Sequence, residues 1–351
     1  MSVQEHHESP VSLTGPSAVE PEVAEREEEI HALGYWESVW RTFKRDKVAV
    51  GGGITIILLV LLCFVGGPVF SWWLGHGPNQ PFDGAVTSGG LPLGPWVHFQ
   101  NAPYQGASGH FPNVFFPLGS DGSVGRDEFL RLLYGGQASL EVAVFATLIS
   151  IALGVVLGAI AGYFGGLVDM FVSRVTELVM AFPVILFIIA LSAVAGQQLN
   201  SITFGFLAQG VFTITIVLAI FGWFYPARIA RAQVLSLREK EFVEAARMVG
   251  SSDARIIRSH LLPHLVAPMI VLATISVGTN VLTEAGLSFL GIGINENSSA
   301  SWGNLLEEAP TFYLQVPWLM LWPGLAVLIT TLSFNLLGDG LRDAFDPRTA
   351  R

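Results

Sequence analysis

Of the 351 residues, 51% are hydrophobic and only 13% are charged, and the formal net charge is −10 at pH 7. A soluble domain carries about 25% charged residues, so this composition excludes an ordinary globular enzyme and points to a chain built for lipid. The acidity is local, because Glu5, Glu8, Glu20, Glu22, Glu25, Glu27, Glu28 and Glu29 all precede residue 30.

Taken in chain order, residues 1–30 are polar, carry Pro10, Pro16 and Pro21, and show no apolar period. They read as a disordered acidic tail without the basic start and apolar core of a signal peptide. In residues 31–47, Tyr35, Trp36, Val39, Trp40 and Phe43 recur at helical spacing beside Arg41, Lys44, Arg45 and Lys47. That pattern predicts an amphipathic helix on the membrane interface.

A hydrocarbon core about 30 Å thick needs roughly 20 apolar residues as a helix. Six stretches qualify, near Val48–Phe70, Ala138–Phe164, Val168–Ala195, Ile202–Tyr225, Leu265–Leu290 and Trp318–Leu337. The expected fold is an all-α integral membrane protein with a six-helix domain over 48–345 and a short tail at 346–351. Long unbroken runs favour helices over a barrel, since each helix satisfies its own backbone in lipid. The loop 71–137 is long and rich in Gly and Pro, so a partly ordered cap is expected there. The shorter loop 291–317 is expected to hold a helical turn near Trp302–Ala309. Gly154, Gly158 and Gly162 share one face of the second stretch and permit close helix approach. Cys63 is the single cysteine, so no disulfide framework exists.

Lysines and arginines set the orientation. They cluster before the first span, between spans four and five (Arg228, Arg231, Arg238, Lys240, Arg247, Arg255, Arg258), and after the sixth (Arg342, Arg348, Arg351). With six spans, all three groups fall on one side, which predicts that both termini are cytoplasmic and that loop 71–137 lies outside.

The segment 228–263 carries the most information. Glu244-Ala245-Ala246 is followed by three residues, Gly250, nine residues, and His260-Leu261-Leu262-Pro263. Residues up to Val249 are good helix formers. Gly250 suits a left-handed helix end, Ser251 or Ser252 suits a cap with Asp253 in the first turn, and Pro263 is expected to end or kink the second helix before the next span. The prediction is a short helix, a sharp turn and a second short helix, with Glu244 placed to pair with Arg247. This spacing resembles the signature loop of permeases in ATP-binding-cassette (ABC) importers, with His260 where the consensus has Ile.

Further segments resemble the same branch, the second permease subunit of the dipeptide and oligopeptide (peptide/nickel) importers. They are Leu118-Gly119-Ser120-Asp121, Gly125-Arg126-Asp127, Thr283-Glu284-Ala285-Gly286, Trp302-Gly303-Asn304 and Asn335-Leu336-Leu337-Gly338-Asp339-Gly340. The resemblance covers about Tyr35 to Arg348 and implies a type I importer fold in the bacterial inner membrane. It implies a heterodimer with a homologous permease, two ATP-binding subunits carrying ATP and Mg, and an external substrate-binding protein. The implied role is a multi-pass permease for short peptides; nickel chelates, glutathione and oligosaccharides are alternative cargoes. Within it, Glu244, Ala245, Ala246, Gly250, His260, Leu262 and Pro263 would form the ATPase-coupling loop.

No phosphate loop of the Gly-x-x-x-x-Gly-Lys-Ser/Thr type occurs, so ATP hydrolysis is not expected in this chain, nor is catalysis, a cofactor, a metal or a nucleic-acid partner. His260 and His264 are four apart, but Pro263 lies between them and no acidic third ligand is near. An ion-driven secondary transporter is the rival class; it would more often show repeats and broken helices. Glu141, Asp169, Arg174, Glu177 and Glu284 fall in or at the ends of spans, where charge is functional by default. Arg174 and Glu177 are spaced to pair. Glu284 either faces the translocation pathway or hydrogen-bonds within the bundle.

Overall fold

The computed structural model describes residues 35–101, 112–122, 124–183, 185–186, 189–190, 210–294 and 299–346. Helix α1 (Tyr35–Arg45) is strongly amphipathic. Trp36 and Trp40 are exposed, whereas Val39 is buried, and Trp36 meets Phe345 edge to face at 6.0 Å. The chain then turns at Asp46, whose Oδ1 accepts the N–H groups of Val48 and Ala49 at 2.9 and 3.1 Å. That N-cap starts α2 (Lys47–Leu74), which passes through a π-helical turn at Leu62–Gly66.

Outside α2, Phe82, Phe99 and Phe116 pack edge to face, with Phe116 fully buried. They fill a small cap whose frame is the antiparallel pair β1 (Val97–Gln100) and β2 (Asn113–Phe116), in register Val97↔Phe116. A second pair, β3 (Ser120–Asp121) and β4 (Arg126–Asp127), leads into α3 (Glu128–Phe164). Asp127 caps α3 by accepting from Phe129 N at 2.9 Å. The helix therefore begins ten residues before the apolar run read from the sequence.

Helix α3 is the hub, in contact with α5 (Val211–Gly222), α6 (Phe224–Leu237) and α8 (Asp253–Phe289). A Cβ added at Gly154 would stand 2.8 Å from Ala227 N, and one at Gly162 2.8 Å from Arg231 O. One added at Gly158 would collide with the Ala227 carbonyl oxygen. The glycine face thus lets the backbones of α3 and α6 meet directly. Helix α4 (Gly166–Met180) follows α3, and α7 (Glu241–Met248) lies between α6 and α8. Helix α9 (Trp302–Phe312) opens with a reciprocal capping box between Ser301 and Asn304, and α10 (Trp318–Phe345) packs on α2, α8 and α9.

Among the described residues, five helices are long and apolar enough to cross a membrane: α2, α3, the pair α5–α6, α8 and α10. The remaining expected span, Val168–Ala195, lies partly outside the described residues; α4 covers its first part. The acidic tail of residues 1–30 and the start of the fourth expected span also lie outside them.

Candidate coupling site

Helix α7 is held from below by Val243, which is fully buried in a core with Ala230, Val234, Ile256, Leu261 and Leu265. Glu244 and Ala245 point outwards and are exposed, and Ala246 is half-buried against that core. The helix ends in a Schellman motif: Ser251 N–H donates to Ala246 O at 3.0 Å and Gly250 N–H to Arg247 O at 2.9 Å. Gly250 has φ +83°, the left-handed region that favours glycine. Its Cβ position meets nothing within 4 Å, so backbone strain rather than crowding selects glycine there. The turn thrusts Met248 and Val249 outwards, at 84% and 87% exposure.

Ser252 takes the N-cap position of α8, and Asp253 opens its first turn. Pro263 does not end this segment. The chain runs on from Asp253 to Phe289 because Ile256–Leu261 adopts a π-helical turn and Pro263 falls in the first turn of the next α-helical stretch. At that position its missing N–H costs little. His260 and Leu262 are half-buried and Pro263 is exposed. The region expected as a loop over 228–263 is mostly helix, with 228–237 belonging to α6.

Arg247, spaced for Glu244, instead lies 5.3 Å over the ring of Tyr163 at the end of α3. The Tyr163 hydroxyl donates to Asp253 Oδ1 at 2.6 Å. Arg238 Nη1 donates to Gly162 O at 3.1 Å. None of these partners of α3 was visible in the sequence, because the loop residues stand 75 to 90 positions away. A lone tyrosine among Gly162, Gly165 and Gly166 at a span end was the only signal.

The charged residues of the spans separate into distinct cases. Arg174 and Glu177 pair at 3.0 Å and are exposed. Asp169 is gripped by Arg231 of α6. Glu284 is fully buried, with Oε1 accepting the Ser288 hydroxyl at 2.7 Å and the Ser139 and Ser301 hydroxyls nearby. Glu141 faces open space, lining a cavity of about 250 Å³ with Asn79, Tyr134 and Gln137. At the N-terminal end of α3, Asp121 binds both Arg126 (3.0 Å) and Arg131 (2.6 Å), all three buried. His76 lies 3.6 Å from Asp127. Burial pushes the Asp127 carboxyl up to about 7, against the pull of the backbone N–H groups it caps. Burial likewise lowers His76.

Residues 154–351 match the family model described as "binding-protein-dependent transport system inner membrane component". Residues 34–86 match the model for the N-terminal transmembrane domain of oligopeptide transport permease C. A dipeptide transport system permease protein of Alkalihalophilus pseudofirmus is 34% identical over 343 residues, 97% of this chain and 98% of that protein. Glutathione transport system permease proteins are similar as well. That of Pectobacterium atrosepticum is 33% identical over 89% of this chain and 91% of its own length. That of Escherichia coli O157:H7 is 35% identical over 89% and 90%.

Proposed function

Since this chain belongs to the family of binding-protein-dependent transport system inner membrane components, we propose that it forms, with a homologous permease, the passage through which short peptides enter a bacterium. It is a permease subunit of the ABC importer class. Two ATPase subunits carrying ATP and Mg would drive it from the cytoplasm, and an external binding protein would deliver cargo. Both termini would lie inside.

The observation that carries this reading is the tip between α7 and α8. Met248 and Val249 stand almost fully exposed on a rigid turn, rimmed by polar residues, on the basic side of the bundle. Adjacent apolar side chains left exposed together mark a protein or membrane contact, and an ATPase surface is the partner this class supplies. Glu244, Ala245, Ala246 and Gly250 would form the docked face, and His260, Leu262 and Pro263 the return into α8. The complex with its ATPases and binding protein, reconstituted in vesicles, tests this. A Met248→Ser, Val249→Ser double variant is expected to bind cargo on the external protein yet lose uptake and cargo-stimulated ATP hydrolysis. Wild-type uptake would make the tip a plain connector.

The names of the relatives support two cargoes, dipeptides and glutathione, itself a short peptide. Competition between labelled dipeptides and glutathione for uptake separates them. For Glu284, a place in the passage requires the enclosed carboxyl to become accessible in another state; its bond to Ser288 supports the bundle role in the present one.

A further inference from the structure

We propose that Tyr163 is a positioning residue that ties both arms of the coupling turn to α3, so that a push on the turn reaches the second span directly. The inference rests on the coupling role argued above and names a route for it. That role alone would carry motion through α6 and α8, the helices continuous with the turn.

The geometry adds a third path. Tyr163 is 6% exposed, in the core shared by α3, α6, α7 and α8. Its hydroxyl donates to Asp253 Oδ1 at 2.6 Å, gripping the arm after Gly250. Its ring carries the Arg247 guanidinium at 5.3 Å, gripping the arm before Gly250. One side chain therefore holds both ends of the stretch from Arg247 to Asp253 that contains the tip. Arg238 secures the same place from α6 by donating to Gly162 O at 3.1 Å. Above it, Gly154, Gly158 and Gly162 bring α3 close to the α6 backbone at Ala227 and Arg231, with the Pro226, Ala230 and Val234 side chains packed beside them. Close-packed backbones transmit displacement instead of absorbing it. A displaced tip must either break the Tyr163 contacts or carry the inner end of α3 with it.

The test uses the complete reconstituted transporter and reads cargo imported per ATP hydrolysed, a ratio that simple loss of folded complex does not move. Tyr163→Phe keeps the ring and the cation contact and removes only the hydroxyl. Asp253→Ala removes the acceptor. Each is expected to lower the ratio by about three- to ten-fold, the range of one hydrogen bond, while assembly and ATP hydrolysis persist. The double variant is expected to be no worse than the poorer single, since both remove one bond. Gly250→Val serves as the reference for the turn itself. If Gly250→Val is impaired and Tyr163→Phe keeps the wild-type ratio, or if the two single losses multiply in the double variant, the Tyr163 route is wrong and the coupling role stands. If Gly250→Val also couples normally, the coupling reading falls first.

Discussion

Arg231 of α6 closes on Asp169 of α4 with two parallel hydrogen bonds, Nε to Oδ1 and Nη2 to Oδ2, the latter at 2.7 Å. The pair fastens α4 to α6 near the same end of the bundle as the Tyr163 contacts. Both side chains keep some solvent access, which limits what the pair contributes. Arg231→Ala is expected to cost about 1 kcal/mol of complex stability, and a double-mutant cycle with Asp169→Ala should recover a coupling of similar size. Thermal denaturation in detergent measures it; a cycle showing no coupling would reduce the pair to a surface contact.

The glycine face of α3 sets a steric prediction. Gly158→Ala places a Cβ on the Ala227 carbonyl and 2.9 Å from Ala230 Cβ. Neither atom belongs to a flexible side-chain end, so α3 and α6 must separate. A loss of about 1–3 kcal/mol, as for overpacking, is expected, seen as reduced yield of folded permease. Gly286→Ala, where nothing lies within 4 Å, should be neutral in the same assay.

The cap before α3 should respond to pH through Asp127. Its carboxyl is raised from the ordinary 3.8 to about 7, so the folded state holds a proton that the unfolded chain releases. The sign follows from linkage: Asp127 stabilises the fold most below about pH 4, and that contribution is lost as pH rises towards 7. His76, lowered by burial, works in the opposite sense and costs stability as pH falls below 6.5. Asp127→Asn keeps an N-cap and removes the first dependence. The variant should therefore gain on the wild type between pH 5 and pH 8, by a few kcal/mol at about 1.4 kcal/mol per pH unit. Melting curves across that range decide it; parallel curves would place the Asp127 titration elsewhere.

Glu284 and Glu141 invite a paired experiment. The first is enclosed and bonded to Ser288; the second opens on a cavity. Glu284→Gln keeps the acceptor oxygen and should preserve assembly, whereas Glu284→Ala leaves Ser288 without that acceptor and should cost about 1–3 kcal/mol. Uptake by Glu284→Gln at the wild-type rate would remove its charge from any role in the passage. Glu141→Gln, measured beside it, reports whether the acid facing open space matters instead.

Much of this architecture was legible in the apolar runs, because in lipid a helix must be long, apolar and internally bonded. Helices α2 and α10 cover the stretches read for them, α8 does so except for Leu290, and Gly250 takes the left-handed turn that its place after a run of helix formers suggested. Sequence and structure part where a charged residue does not end a helix. Arg131 marked a loop in the sequence, yet it lies inside α3 because Asp121, brought round by the β3–β4 hairpin, neutralises it. Arg228 and Arg231 likewise read as connector, and α6 continues through them, with Asp169 meeting Arg231. Single-sequence patterns register local periodicity; they hold no record of a partner 62 residues away. The Tyr163 contacts were hidden for the same reason.

The π-helical turn at Ile256–Leu261 has a consequence for how α8 faces its neighbours. In an α-helix, residues five apart diverge by about 140°, so Ile256 and Leu261 could not both look inwards. With about 4.4 residues per turn, as i→i+5 bonding gives, their divergence shrinks to roughly 50°. Both are fully enclosed, and Leu265 joins them in the same core. The wide turn is thus a phase adjuster. It lets the arm that grips the tip and the arm that crosses the membrane turn their apolar stripes to one side, although the sequence between them carries one residue too many for a regular helix to do so.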